Sequence, residues 1–175
     1  MDDSVIRSML KWPDVPDVFG WLRLDRRGNW RIRRYGEGES LVFEPIGNPA
    51  FREFIGRNYA SDEHGRWFFQ NGPQRVFVGL DFTPLVFRID GAELVDQCGR
   101  RSGPVDGVWL DEEGSAVLRC SRGAGGLDDR DLMTLADDLA KGVFKLGASS
   151  VPVGKVLRSK MEAQFGFVLE PGPSD

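Results

Sequence analysis

His64 is the sole histidine of this 175-residue chain and sits inside the run Asp62-Glu63-His64-Gly65. A Ser–His–Asp relay needs a buried imidazole oriented by a carboxylate, and no G-x-S-x-G surrounds any serine. His64 is therefore expected to be a solvent-exposed turn residue. Asp128, Asp129, Asp131, Asp137 and Asp138 look at first like a metal cluster. No D-x-D-x-D-G calcium loop is present, and carboxylates in a helix's first turn complement its positive end. The glycine-rich RGAGG run at residues 122–126 precedes that helix but lacks the Lys-Ser/Thr of a phosphate loop. Cys98 and Cys120 are too few for a disulfide framework and lack metal-site spacing, so free, buried or half-buried thiols are expected. No catalytic residue, metal or cofactor emerges, and the chain leans away from an enzyme.

Two surfaces carry binding chemistry instead. The first is WLRLDRRGNWRIRR at residues 21–34, with six arginines and two tryptophans in a chain of net charge −4. Asp25-Arg26-Arg27-Gly28 suits a type I turn closed by a left-handed glycine. That turn sets Leu24 opposite Trp30, Arg23 opposite Arg31 and Leu22 opposite Ile32. Trp21, Arg23, Arg31 and Arg33 then share the face away from the core, a composition fit for single-stranded nucleic acid. Arg26 and Arg27 are accounted for by the turn. The like-charge pair Arg23–Arg31 calls for a neutralising group, either an external anion or one of Asp14, Asp17, Glu37 and Glu39. A chain pI of about 5.1 provides no global basic field to draw a polyanion in.

The second surface lies in RWFFQNGPQRVFVGL, residues 66–80, where Asn71-Gly72 is a strong hairpin signal. With those two residues as the loop, Phe69 faces Gln74, Phe68 faces Arg75 and Trp67 faces Val76. Trp67, Phe69, Val76, Val78 and Leu80 then form the core side. Arg66, Phe68, Gln70, Arg75 and Phe77 share the other, and Arg57 and Tyr59 precede the hairpin. Arginine among aromatics is the composition of protein–protein hot spots. The alternative is a face covered by other elements, with its arginines spreading at the rim.

The elements that must position these residues follow from pattern. Residues 3–11 read as an amphipathic helix with Val5, Ile6, Met9 and Leu10 on one side, ended by Trp12-Pro13. Asn48-Pro49 starts a helix burying Phe51, Phe54 and Ile55. Strands are expected at 85–89 and 92–97, and around Asp111-Glu112-Glu113-Gly114, with Val108 and Leu110 paired to Ala116 and Leu118. The SRGAGG run reads as a loop closing the β-rich part. Asp128 caps a helix carrying Leu132, Leu135, Ala136 and Leu139, and a last helix is expected over about 153–164. FGFVL then reads as strand-like before a loose tail at 170–175. The three D-x-x-G turns recur too unevenly for a solenoid or propeller.

Composition, with 41% hydrophobic and 29% charged residues, is globular, and no apolar run reaches a membrane span. The start MDDSVIRSMLKW is acidic and carries no leader pattern, so a cytoplasmic location is expected. One domain is expected over 1–175, β-rich at 12–122 and helical at 127–165. Its fold class is α+β, with antiparallel hairpins forming a bent sheet, sandwich or partial barrel and helices at the periphery.

At Trp12-Pro13 through Trp30, and at NYASDEHGRWFFQNGPQRV (Asn58 through Val76), the chain resembles an uncharacterised proteobacterial family of unknown function. The DDRDL helix start matches further on. The resemblance implies a single intracellular domain and assigns no activity, cofactor or catalytic residue. The favoured reading is a non-catalytic binding or interaction module with a protein partner or a second copy of itself. Nucleic-acid binding comes second and an enzyme of unknown type third.

Overall fold

The computed structural model describes residues 1–35 and 41–173. They fall into two compact units, the first comprising Met1–Asp25, Asn29–Asp81 and Phe167–Asp175, the second Arg26–Gly28 and Phe82–Gly166. The fold class is α+β, as the patterning indicated.

The first unit opens with α1 (Asp3–Lys11), which buries Val5 and leaves Ile6 and Leu10 exposed, the latter at 80%. Its sheet contains β1 (Val18–Leu24), β2 (Trp30–Tyr35), β3 (Leu41–Pro45), β4 (Tyr59–Ser61), β5 (Trp67–Asn71) and β6 (Gln74–Leu80), in the order β3-β2-β1-β6-β5-β4. β1 and β2 pair Leu22 with Ile32, Arg23 with Arg31 and Leu24 with Trp30, the register that the alternation selects. α2 (Pro49–Arg57) starts where Asn48 Oδ1 accepts from Phe51 N at 3.2 Å. It buries Ile55, and Phe51 and Phe54 pack half-buried, edge-on to Phe69.

The β5–β6 register corrects the sequence reading: Phe68 pairs with Phe77, Phe69 with Val76, Gln70 with Arg75 and Asn71 with Gln74. The loop is thus Gly72-Pro73. Proline's fixed φ and missing N–H bar it from a type I′ turn and from the ladder, whereas Gly72 at φ 59° supplies the first position of a type II′ turn. Partners move by two residues, so each side chain keeps its face.

The second unit's sheet contains β7 (Leu85–Asp90), β8 (Glu93–Asp96), β9 (Val105–Leu110), β10 (Ala116–Cys120), β11 (Gly123–Leu127), β12 (Val143–Leu146) and β13 (Ser149–Lys155), in the order β12-β13-β9-β10-β11-β7-β8. α3 (Asp129–Ala140) follows β11, and α4 (Arg158–Phe165) follows β13. Two expectations fail here. The glycine-rich run is a strand, because its glycines meet the sheet at distances no side chain tolerates. A Cβ on Gly125 would lie 2.5 Å from the Phe87 ring and 2.8 Å from the Leu85 carbonyl oxygen. The helix expected at 153–164 starts only at Arg158, since Val151, Pro152, Val153 and Gly154 extend into β13. Gly125→Ala is expected to destabilise the protein by about 1–3 kcal/mol by overpacking. Gly47→Ala, with no atom within 4 Å of its added Cβ, is the control in urea unfolding. Equal midpoints for the two variants would refute the close strand packing.

Among the described residues the D-x-x-G turn forms four times, at Asp25, Asp62, Asp96 and Asp111. In each, the Asp N–H donates to the carbonyl of residue i+4, at 2.9–3.1 Å. Each carboxylate accepts from the N–H of residue i+4, at 2.7–2.9 Å. The glycines take φ of 75–82°. The Asp96 copy escaped the sequence reading because the run after it, Arg100-Arg101-Ser102-Gly103, carries no apolar pattern.

The two units also repeat a topology. In the first, the meander β1-β2-β3 leads to α2, and the closing strand β6 lies parallel beside β1, with Arg23 opposite Gly79 and Leu24 opposite Leu80. In the second, β9-β10-β11 leads to α3, and β13 lies parallel beside β9, with Trp109 opposite Gly154 and Leu110 opposite Lys155. Asp81 N–H donates to Leu24 O at 3.0 Å, and Val156 N–H to Leu110 O at the same distance. The closing hairpins turn at Gly72 and Gly147, with φ 59° and 55°. β4 and its turn are inserted only in the first unit, which removes any constant period from the sequence.

Candidate binding site

Cross-strand pairing places Gln70 beside Arg75 and Phe68 beside Phe77 on one face of the β5–β6 hairpin. The aromatic part of that face is covered. Phe77 is fully buried and stacks on Phe19, with centroids 4.6 Å apart and planes at 4°, and Phe68 meets its edge at 5.7 Å. Arginines ride above the rings: Arg66 lies 4.7 Å over Phe77 while holding Asp62 at 2.8 Å, and Arg75 lies 4.7 Å over Phe68.

Tyr59 and Arg57 belong to the scaffold. Tyr59 is buried against Trp30 and Trp67, with centroids 4.9 and 4.7 Å away. Arg57 Nε donates to Asp2 at 3.1 Å, and that carboxylate also takes Asn58 Nδ2, fastening α1 to the end of α2. The Arg57 guanidinium holds the Asp2 carboxyl below its usual range, against the opposing effect of desolvation.

What remains open is a pocket of about 400 Å³ walled by the end of α1, the segment Pro13–Asp17 and the hairpin tip. Leu10, Trp12, Pro13, Pro73, Gln70 and Arg75 line it. Gln74 Nε2 donates to Pro16 O at 3.1 Å and pins the segment after the helix. Gln70 is 1% exposed. Its Nε2 donates to Gly72 O at 2.9 Å, which fixes the amide's orientation, and its Oε1 has no partner among the described residues. Among the described residues Arg75 has no carboxylate partner, since its contact is the Phe68 ring. The apolar walls Leu10 and Trp12 are 80% and 51% exposed. Sequence reading found Gln70 and Arg75 but not these walls, whose signal was the helix ending in an unburied Leu-Lys-Trp-Pro.

The arginine hairpin resolves differently. Arg23 is neutralised within the chain, by Asp81 at 2.9 Å and by Glu170. These replace the nearby carboxylates proposed from sequence, of which Glu37 and Glu39 lie outside the described residues. Arg31 Nη2 donates to Phe43 O at 2.8 Å, Arg33 Nη1 to Gly20 O at 3.4 Å, and the Nε atoms of both are buried without partners among the described residues. Trp21 is 43% exposed.

His64 is exposed in its turn, 3.7 Å from Glu63. Among the described residues no group of three or more His, Cys, Asp or Glu could hold a metal ion, and no helix is long and apolar enough to cross a membrane. Cys98 and Cys120 are free. Burial, followed by the charge of Asp96, pushes the Cys98 thiol up to about 12, so it is protonated and unreactive near neutrality.

Two solved structures match the chain, and the first shares its fold. A DUF1285 family protein from Silicibacter pomeroyi DSS-3 is 17% identical, with a TM-score of 0.52 over 89% of this chain and 97% of its own. A second, from Shewanella baltica OS155, is 16% identical, with a TM-score of 0.48 over 67% of this chain and 91% of its own. No curated protein matches the sequence. A family model described as "Protein of unknown function (DUF2946)" matches residues 1–172, and the chain belongs to that family, DUF2944.

Proposed function

We propose that the protein is a non-catalytic binding module, with its site in the first unit between the end of α1 and the β5–β6 hairpin. The ligand is a peptide segment of a partner protein, with an apolar side chain beside a carboxylate. The supporting observation is Gln70, a residue lining an open pocket, whose buried Oε1 has no donor among the described residues. Buried acceptors are almost always satisfied, and a peptide N–H would supply the missing donor once the Gln70 side chain turns its Oε1 into the pocket on binding. Arg75, directly across the strand pair, offers a guanidinium to the carboxylate. Leu10 and Trp12 offer apolar area that the fold leaves uncovered. The free thiols of Cys98 and Cys120 fit a reducing, cytoplasmic setting.

The test is selection from a displayed library of peptides with free C-termini on the full chain, followed by titration of the best binder. Gln70→Leu is expected to keep stability within about 1 kcal/mol, because it removes an orphaned acceptor along with one hydrogen bond. Binding is expected to fall at least about tenfold, as it is for Arg75→Gln. A binder indifferent to both variants would sink the assignment.

A second reading, nucleic-acid binding through Trp21, Arg31 and Arg33, rests on those two arginines having no carboxylate among the described residues. Titration of single-stranded DNA and RNA across a salt series decides it. Phosphate contacts require affinity to fall steeply with salt, and a flat dependence rules them out.

A further inference from the structure

The repeated topology makes one difference between the units informative. In the first unit, β6 runs past the end of β5, and its free edge is taken by the chain's own terminal segment. Leu80 N–H donates to Leu169 O at 2.8 Å, and Val168 N–H to Gly65 O at 3.1 Å. Phe167 is buried there, and Glu170 follows on to meet Arg23. The corresponding edge in the second unit is that of β13. N–H groups alternate along a strand: Val156 N–H turns to Leu110 O on β9, and Val153 N–H turns the other way to Gly142 O, at 2.9 Å. Lys155 N–H therefore faces the same side as Val153, beyond the end of β12, and meets no carbonyl among the described residues. Where the first unit holds Leu169, the second has a pocket of about 660 Å³, walled by Leu139, Val153, Val156 and the 56%-exposed Leu157.

We propose that this edge of β13 binds an extended segment of a partner protein by strand addition, in the manner in which β6 binds residues 167–169. The occupant is an apolar stretch followed by an acidic residue, the pattern of Phe167-Val168-Leu169-Glu170. Main-chain pairing to Lys155 N–H supplies register, and the alternate apolar side chains fill the pocket. Asp111 and Glu112 on the wall are engaged by Arg158, at 2.7 Å to its Nε and 3.0 Å to its backbone N–H. The Lys155 ammonium has no ion pair among the described residues, so it is placed to meet the acidic residue of the incoming segment. This inference stands apart from the peptide site of the first unit, since it involves other residues and its test reports on them alone.

The probe is a fluorescent synthetic peptide copying residues 164–171, titrated into the full chain, with amide hydrogen exchange read residue by residue. In the free protein the Lys155 amide is expected to exchange rapidly and the Leu80 amide slowly. The peptide is expected to bind saturably, to slow exchange at Lys155 at least about tenfold, and to lose at least tenfold in affinity for Leu157→Glu and Lys155→Glu. Both substitutions lie at exposed positions, so the variants keep the fold. A Lys155 amide already protected in the free protein overturns the proposal. So does absence of saturable binding up to millimolar peptide, or protection appearing only around Leu80.

Discussion

Asp111→Ala is expected to destabilise the protein by about 3–5 kcal/mol, the cost of breaking a buried ion pair from one side. The Asp111 side chain is 0% exposed. It accepts from Ser115 N at 2.7 Å, Glu113 N at 2.9 Å and Arg158 Nε at 2.7 Å. Alanine would leave two turn N–H groups without their acceptor and take one of two carboxylates from the partly buried Arg158 guanidinium, which keeps Glu113 at 2.6 Å. Asn, which keeps an acceptor for the backbone but loses the charge, is expected to fall between alanine and the native residue. The same carboxylate confers acid sensitivity. Burial alone would raise its pKa, but the hydrogen bonds from Arg158 and the backbone N–H of Ser115 prevail and hold it below 3.8. A depressed folded-state pKa stabilises the fold above the ordinary carboxylate range, and that stability is lost as pH falls through the folded value. Asp62 and Asp131 are lowered in the same way, and Asp128, buried but held by Arg130, reaches about 2. Stability is therefore expected to drop between pH 4 and pH 2, on the order of the carboxylate range. Urea unfolding at pH 7 and pH 3 checks both points. The difference between the two pH values should shrink in Asp111→Ala, and an undiminished difference would show that this carboxylate contributes none of it.

Phe77→Ala is expected to cost about 3–5 kcal/mol, the range for deleting a fully buried aromatic side chain. Its ring touches Phe19 and Phe68 and lies under the Arg66 guanidinium, so the cavity is bounded by rings held on separate strands and closes poorly. Arg75→Ala, at the rim of the same face, is expected to lie within about 1 kcal/mol of the native chain. Urea midpoints for the pair discriminate core from surface. A Phe77→Ala protein as stable as Arg75→Ala would mean that this face is a docking surface and not part of the core.

The elements legible in the sequence are those whose causes are local. A D-x-x-G turn satisfies its own backbone through one carboxylate, so Asp25 and Asp111 and the registers they impose could be read from a few residues. The Asn48 cap and α1 were local in the same sense, with Pro49 and Pro13 as punctuation. The β5–β6 loop slipped because Asn-Gly and Gly-Pro compete for the same turn, and proline's missing donor decides between them. The glycine-rich strand β11 could not be recognised, because the reason for Gly125 lies on Phe87 and Leu85, far along the chain.

By itself, then, the sequence determined the turns, the caps and the alternation that assigns each side chain to a face. Those depend on contacts within a few residues. Only the tertiary structure decided which faces are covered and which charges are answered. Phe19 closes over Phe77, and Arg23 finds Asp81 and Glu170 at separations of 58 and 147 residues. Gln70 and Lys155 are left with groups that nothing in the described chain satisfies. Burial and ion pairing are set by distance in space, which chain separation does not encode.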